Sequence, residues 1–66
     1  MTNEEIYLAR AAEAQHDADA ATLANVRERC LRSQAAWAGM ATRAGRTEKM
    51  RVRLDAEKAA GAVPAQ

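Results

Sequence analysis

A series of apolar and small residues at alternating steps of three and four constrains this chain more than any other feature. Seven positions share the spacing: Leu23, Val26, Cys30, Ser33, Trp37, Met40 and Ala44. Residues with this spacing lie on one face of an α-helix, and such a face packs against a second helix. The residues between them are polar and mainly basic, which predicts an amphipathic helix over residues 23–44.

A second stripe of small residues precedes the first one. Its members follow the same spacing: Tyr7, Ala11, Ala14, Ala18 and Ala21. Alanine allows a partner helix to approach closely but contributes little buried area per residue. Thr2 or Asn3 is placed to cap this helix, and Glu4 and Glu5 follow in the first turn, where acidic residues complement the helix dipole. A helix over residues 3–21 is therefore expected.

The junction between these helices contains neither glycine nor proline, so one continuous helix is an alternative. Two observations favour a turn. The step from Ala21 to Leu23 rotates the stripe by about 200° on a helix of 3.6 residues per turn. The charge of the chain also changes sign here. We therefore predict a turn at residues 21–23, with Thr22 as N-cap of the second helix, and an antiparallel helical hairpin.

Gly45 predicts the end of the second helix, and Thr47 can cap a third one. This third helix, over residues 48–60, is either separate or a helical extension of the second, and its apolar residues form no clean stripe. Residues 61–66 are expected to be a flexible tail. The predicted fold is all-α, with one hairpin domain over residues 1–60.

Composition and charge restrict the class of protein further. The chain has 66 residues, a net charge of +1 and one cysteine, so no internal disulfide can form. No apolar run reaches membrane-spanning length, and the start of the sequence does not resemble a secretory signal, so a cytoplasmic protein is expected. Residues 1–21 carry five acids against Arg10, whereas residues 43–66 have an excess of three positive charges. The acidic first third is expected to pair with the basic residues that follow.

The sequence contains no recognisable catalytic, cofactor-binding or metal-binding motif. One histidine, His16, and one cysteine, Cys30, cannot supply the three or four ligands of a closed metal site. Cys30 lies on the stripe of the second helix and is interpreted as a small buried apolar residue. An enzyme is not expected.

Protein binding is the function that the pattern favours, because so small a core needs further apolar contacts. The residues expected to bind a protein partner or a second copy are Ile6, Tyr7, Leu8, Trp37, Met40, Met50 and Leu54. Ordering some forty helical residues costs more than burial of the core side chains can clearly offset, and these core side chains are Tyr7, Leu23, Val26, Trp37 and Met40. Four further side chains still need a surface to cover them: Ile6, Leu8, Met50 and Leu54. We therefore expect either a homodimer, built as a four-helix bundle around a two-fold axis, or a marginally folded monomer.

Nucleic-acid binding by the basic C-terminal segment, residues 43–58, is the alternative. Its contacts to phosphate would come from Arg43, Arg46, Lys49, Arg51 and Arg53. The same residues also fit a solvated helix face with pairs four residues apart, such as Arg53 and Glu57. This second interpretation is favoured because acidic residues interrupt the segment.

The chain also resembles a group of short, Ala-rich bacterial helical-hairpin proteins over residues 6–45. The resemblance rests on Tyr7-x-x-Arg10-Ala11, on the spaced alanines, and on Val26-Arg27, Cys30, Trp37, Met40 and Ala41. Cys30, Ser33, Gln34 and Trp37 stand where that group usually has His, Leu, Ala and Tyr. The resemblance implies a helical hairpin and no particular activity.

Overall fold

The computed structural model describes residues 1–62 and contains two helices within that range. Helix α1 spans Asn3–Ala20 and helix α2 spans Ala24–Ala62. The two helices pack against each other as a hairpin. They are antiparallel, because the first turn of α1 lies beside Gly45 and its last residues lie beside Arg27. The predicted all-α hairpin is thus confirmed, with the C-terminal part as an extension of the second helix.

Helix α1 begins with a hydrogen-bonded cap. Thr2 has an extended backbone, and its side-chain oxygen accepts a hydrogen bond of 3.1 Å from the backbone N–H of Glu5. Asn3, the other predicted cap, is the first helical residue. Glu4 and Glu5 occupy the first turn as expected, near the positive end of the helix dipole.

The turn between the helices is made by an extended residue instead of a glycine. Ala21 has φ −71° and ψ 134°, a conformation open to any residue, and ends α1. The guanidinium of Arg27 donates a hydrogen bond of 2.9 Å to the Ala21 carbonyl, which places a cation at the negative end of α1. Thr22 was expected to cap α2, and this was wrong. Helix α2 starts at Ala24, so Leu23 is the residue that precedes it. The carbonyl of Leu23 accepts a hydrogen bond from the backbone N–H of Arg27.

The contact between the helices is built from small residues and one aromatic pair. The buried side chains of α1 are Ala11, Ala14 and Ala18, which confirms the stripe predicted for this helix. They allow α1 to lie close to α2, where Ala41 is also buried. Near the open end, the rings of Tyr7 and Trp37 lie 5.9 Å apart with a tilt of 30°. This is a favourable aromatic arrangement, and it joins the only two aromatic side chains of the protein.

The stripe on α2 differs from the prediction at two positions. The buried or half-buried positions of α2 are Val26, Cys30, Gln34, Trp37, Ala38, Gly39, Met40, Ala41, Ala44 and Gly45. Ser33 is exposed and Gln34 is half-buried, the reverse of what was expected. Leu23 lies in the turn and is 61% exposed. A straight helix has about 3.6 residues per turn, whereas steps of three and four correspond to about 3.5. Residues spaced by three and four therefore rotate around a straight helix by about 20° every seven residues, and over this length the buried face shifts by one residue in the sequence.

Gly45 does not end α2, contrary to the prediction. A terminating glycine usually has a positive φ, and no glycine described in residues 1–62 has one. A glycine inside a helix costs only about 1 kcal/mol relative to alanine. The residues that follow are mainly strong helix formers and make ion pairs along the helix. The helix therefore continues, and residues 48–60 are not a separate element.

We define the extension as residues 46–62, the part of α2 beyond the start of α1. It is about 25 Å long at 1.5 Å per residue. All of residues 46–61 are exposed. The molecule measures 67 × 17 × 10 Å, and its radius of gyration is 18.5 Å, compared with about 11 Å for a compact chain of this length. Most of the predicted tail lies outside the described residues, while Gly61 and Ala62 belong to α2.

Candidate protein-binding surface

The extension carries the largest unshielded apolar side chains in the second half of α2. Met50 is 46% exposed and Leu54 is 51% exposed. They are four residues apart and therefore share one face of the helix. Val52 is also exposed but lies about 200° around the helix from each of them. The extension thus presents Met50 and Leu54 together, and we call this the Met50–Leu54 face.

The other residues predicted to bind a partner are divided between several surfaces. Tyr7 and Trp37 are half-buried and pack on each other inside the hairpin. Ile6 and Leu8 are both exposed, yet two residues along a helix are about 200° apart, so they lie on opposite sides of α1. The seven predicted residues therefore do not form one continuous surface.

A notch lies where α2 runs past the start of α1. It has a volume of about 620 Å³ and includes Thr2, Tyr7, Met40, Arg43 and Thr47 in its lining. Met40 is half-buried here, between the aromatic pair and the extension. The sequence reasoning missed this notch, because its existence depends on α2 continuing through Gly45.

Two of the five predicted nucleic-acid contacts are engaged with acidic neighbours. Arg51 pairs with Glu48 at 2.6 Å and with Asp55 at 3.5 Å. The hydrogen bonds to Glu48, with the charges of both carboxylates, raise the pKa of the Arg51 guanidinium. Arg53 pairs with Glu57 at 3.8 Å, which confirms the pair predicted from the spacing. These carboxylates reduce the positive potential that a phosphate backbone would meet.

The remaining cations of this segment stay available to a partner. Arg43, Arg46 and Lys49 are exposed and make no ion pair with any described residue. Arg46 lies one turn before Met50 on the same side of the extension. Lys58 lies one turn after Leu54 and likewise forms no ion pair within residues 1–62. Arg46 and Lys58 therefore border the Met50–Leu54 face at its two ends. Glu57, three residues after Leu54 on the same side, is paired with Arg53.

The charges of the two helices do not pair across the hairpin. Every ion pair described within residues 1–62 joins two residues of the same helix, such as Arg10 and Glu13 at 3.5 Å. Within residues 1–62, the acidic residues of the first third therefore form no ion pair with the basic residues that follow, contrary to the expectation. The acidic surface of α1 and the basic surface of the extension both face outward.

Cys30 and His16 lie apart from each other on different helices. Cys30 is a free thiol on the α1-facing stripe of α2 and is half-buried, less shielded than expected. His16 is exposed on the outer side of α1. No group of three or more potential metal ligands occurs within the part of the chain that the structure describes. Neither helix over that range is apolar enough along its length to cross a membrane.

Comparison of the chain with protein-family models, with curated proteins and with solved structures gave no match.

Proposed function

We propose that this chain is a small helical protein-binding module, acting as a small subunit, adaptor or regulator through the extension of α2. The observation that carries the proposal is the extension itself: residues 46–61 are all exposed, and Met50 and Leu54 lie unshielded on one face. Docking of an apolar helix face onto a partner is a common mode of protein recognition.

Helix energetics support this proposal. The extension continues a helix whose first part is already packed on α1, so the costly nucleation step is not repeated. The pairs around Arg51 and Arg53 stabilise the extension locally, but pairs as exposed to solvent as these contribute little. A partner that covers Met50 and Leu54 would add apolar burial to a helix that is already formed, so little ordering entropy is lost on binding.

Nucleic-acid binding has less support from the geometry. Phosphate contacts need several unneutralised cations along a track, and Arg51 and Arg53 are each held by carboxylates. An apolar pair at the centre of a face fits a protein partner better than a phosphate backbone. The two classes also differ in salt dependence, since phosphate binding weakens steeply with salt.

A photo-crosslinking amino acid at position 54 tests the proposed function in living cells of the native host. We expect adducts of discrete mass that contain a protein. The matched control is the same amino acid at position 56, which is also exposed but lies about 200° around the helix. Protein adducts at position 54 that are absent at position 56 support the proposal. Adducts to nucleic acid alone, or equal labelling at both positions, contradict it.

A further inference from the structure

The outer side of α1 is a second unpartnered surface, and it differs in character from the extension. Its centre is formed by the small residues Ala9 and Ala12, both exposed. A shallow depression here is lined by these two residues together with Glu13, His16 and Asp17. Glu5 lies one turn before Ala9 on the same side. The surface therefore has acidic residues at its edges and a shallow depression at its centre.

The Met50–Leu54 face of the extension is complementary to this surface in charge and in shape. Two large apolar side chains project at its centre, whereas the outer side of α1 has only methyl groups there. Arg46 and Lys58 border it, and the carboxylate of Glu57 on the same side is paired with Arg53, whereas acidic residues border the depression on α1. The lengths also agree, since α1 has 18 residues and the extension has 17.

We infer that the partner of the extension is the outer side of α1 in a second copy of this chain. This inference rests on the proposed function and names its partner. Ridges formed by Met50 and Leu54 would enter the depression at Ala9 and Ala12, as large side chains pack over small ones between helices. The cations at the edge of the extension would meet Asp17 of the second copy, and also Glu13, which keeps Arg10 of its own helix as a second partner.

The arrangement is head to tail. The docking face and the receiving face are different surfaces of the chain, so a contact that two copies make only once is heterologous. Along α2, Met50 and Leu54 lie roughly 100–140° around the helix from Trp37, which marks the side facing α1. The extension therefore turns its docking face away from its own α1. Each added copy leaves one free face at either end, and the assembly grows beyond a dimer.

Sedimentation equilibrium of the purified full chain across a dilution series tests this contact. We expect a weight-average mass that rises continuously with concentration and passes the mass of a dimer. A mass that stops at a dimer would overturn the head-to-tail contact in favour of a two-fold bundle. A monomer at every concentration would overturn self-docking, while protein adducts at position 54 would still support the proposed function.

A charge-swap pair sharpens the test and controls for misfolding. One variant carries Arg46→Glu and Lys58→Glu, and the other carries Glu13→Lys and Asp17→Lys. Each alone should need on the order of tenfold more protein for half-association, because attraction is replaced by repulsion between like charges. Mixing the two should restore association close to that of the natural chain. Unchanged association of either variant, or no recovery in a mixture whose components are both helical by circular dichroism, would refute the assignment of these faces.

Discussion

The two halves of α2 are helical for different reasons. Residues 24–45 lie against α1, and their shielded stripe includes Trp37, Ala41 and Gly45. The extension, residues 46–62, has no helix beside it and is held by local pairs such as Glu48–Arg51 and Arg53–Glu57. The difference shows that tertiary packing fixes where the hairpin lies, while local helix preference decides how far α2 continues. A long exposed helix is the result.

The largest expected difference between the two halves follows from removal of a large side chain. Trp37→Ala deletes the ring that packs on Tyr7 and should cost about 2–3 kcal/mol, somewhat less than for a fully buried aromatic. Leu54→Ala should cost under about 0.5 kcal/mol in dilute monomer, since this side chain is largely solvated. Urea denaturation followed by circular dichroism measures both. Equal losses would contradict the division of α2 into two halves.

Overpacking is expected to distinguish the contact between α1 and α2 from the extension by a smaller margin. Ala18 is 1% exposed at the helix contact, so Ala18→Leu should push the helices apart at a cost of about 1–3 kcal/mol. Ala56→Leu in the extension is the matched control. It adds the same atoms to a solvated position and should leave the denaturation midpoint nearly unchanged. A tolerated Ala18→Leu would show that α1 does not pack closely on α2.

The two threonines near helix starts provide the next comparison. Thr2 caps α1 with its side chain, and Thr2→Ala should lower stability by about 1 kcal/mol. Thr22→Ala should have an effect below about 0.5 kcal/mol, because Thr22 lies outside the cap position of α2. Thermal melts of the two variants at one concentration compare them. A larger loss for Thr22→Ala would place the start of α2 one residue earlier than described.

The smallest expected effect concerns the glycines of α2. A methyl group at Gly39 would meet only the guanidinium of Arg43 at 3.6 Å, an ordinary contact. Gly39→Ala should therefore stabilise the helix by about 0.5–1 kcal/mol. At Gly45 a methyl group would come within 2.7 Å of the Glu4 carboxylate, which must move aside, so Gly45→Ala should gain less. Denaturation midpoints of the two variants check the order, and a greater gain at Gly45 would contradict the close approach of α1 there.

The elements that could be predicted from sequence are those that depend on local periodicity. The spacing of Ala11, Ala14 and Ala18 identified the buried face of α1 because alanines at that spacing can only line up on one side of a helix. The change of phase and of charge near Ala21 located the turn. The pair Arg53–Glu57 followed directly from its separation of four residues.

The features that were missed depend on contacts between distant residues or on small competing energies. Glycine is common just after a helix end, so Gly45 predicts an end there, but the free-energy cost of a glycine within a helix is small beside the helix preference of the residues that follow. The hydrogen bond from Arg27 to Ala21 needs the turn geometry, which the sequence does not display. Gln34, and not Ser33, is half-buried, because the spacing of about 3.5 residues used for the prediction departs from the roughly 3.6 residues per turn of a straight helix by an angle that grows over several turns.

Of the predicted surface, Met50 and Leu54 were found exposed together, as a binding face requires. Their isolation from Ile6 and Leu8 was not foreseeable, because it follows from α2 running on beyond α1. The acidic and basic segments were evident in the sequence, yet the ion pairs of residues 1–62 form within each helix. Local pairs formed instead, because partners three or four residues apart are always within reach in a helix.

Residue-resolved amide hydrogen exchange on the dilute monomer tests the central claim most directly. The account predicts that amides of residues 30–44 exchange slowly, because opening them requires loss of the contact with α1. Amides of residues 48–60 should exchange much faster while their chemical shifts remain helical, since only local fraying is needed to expose them. Uniform protection along α2, or non-helical shifts beyond Gly45, would contradict the description of one helix supported in two different ways.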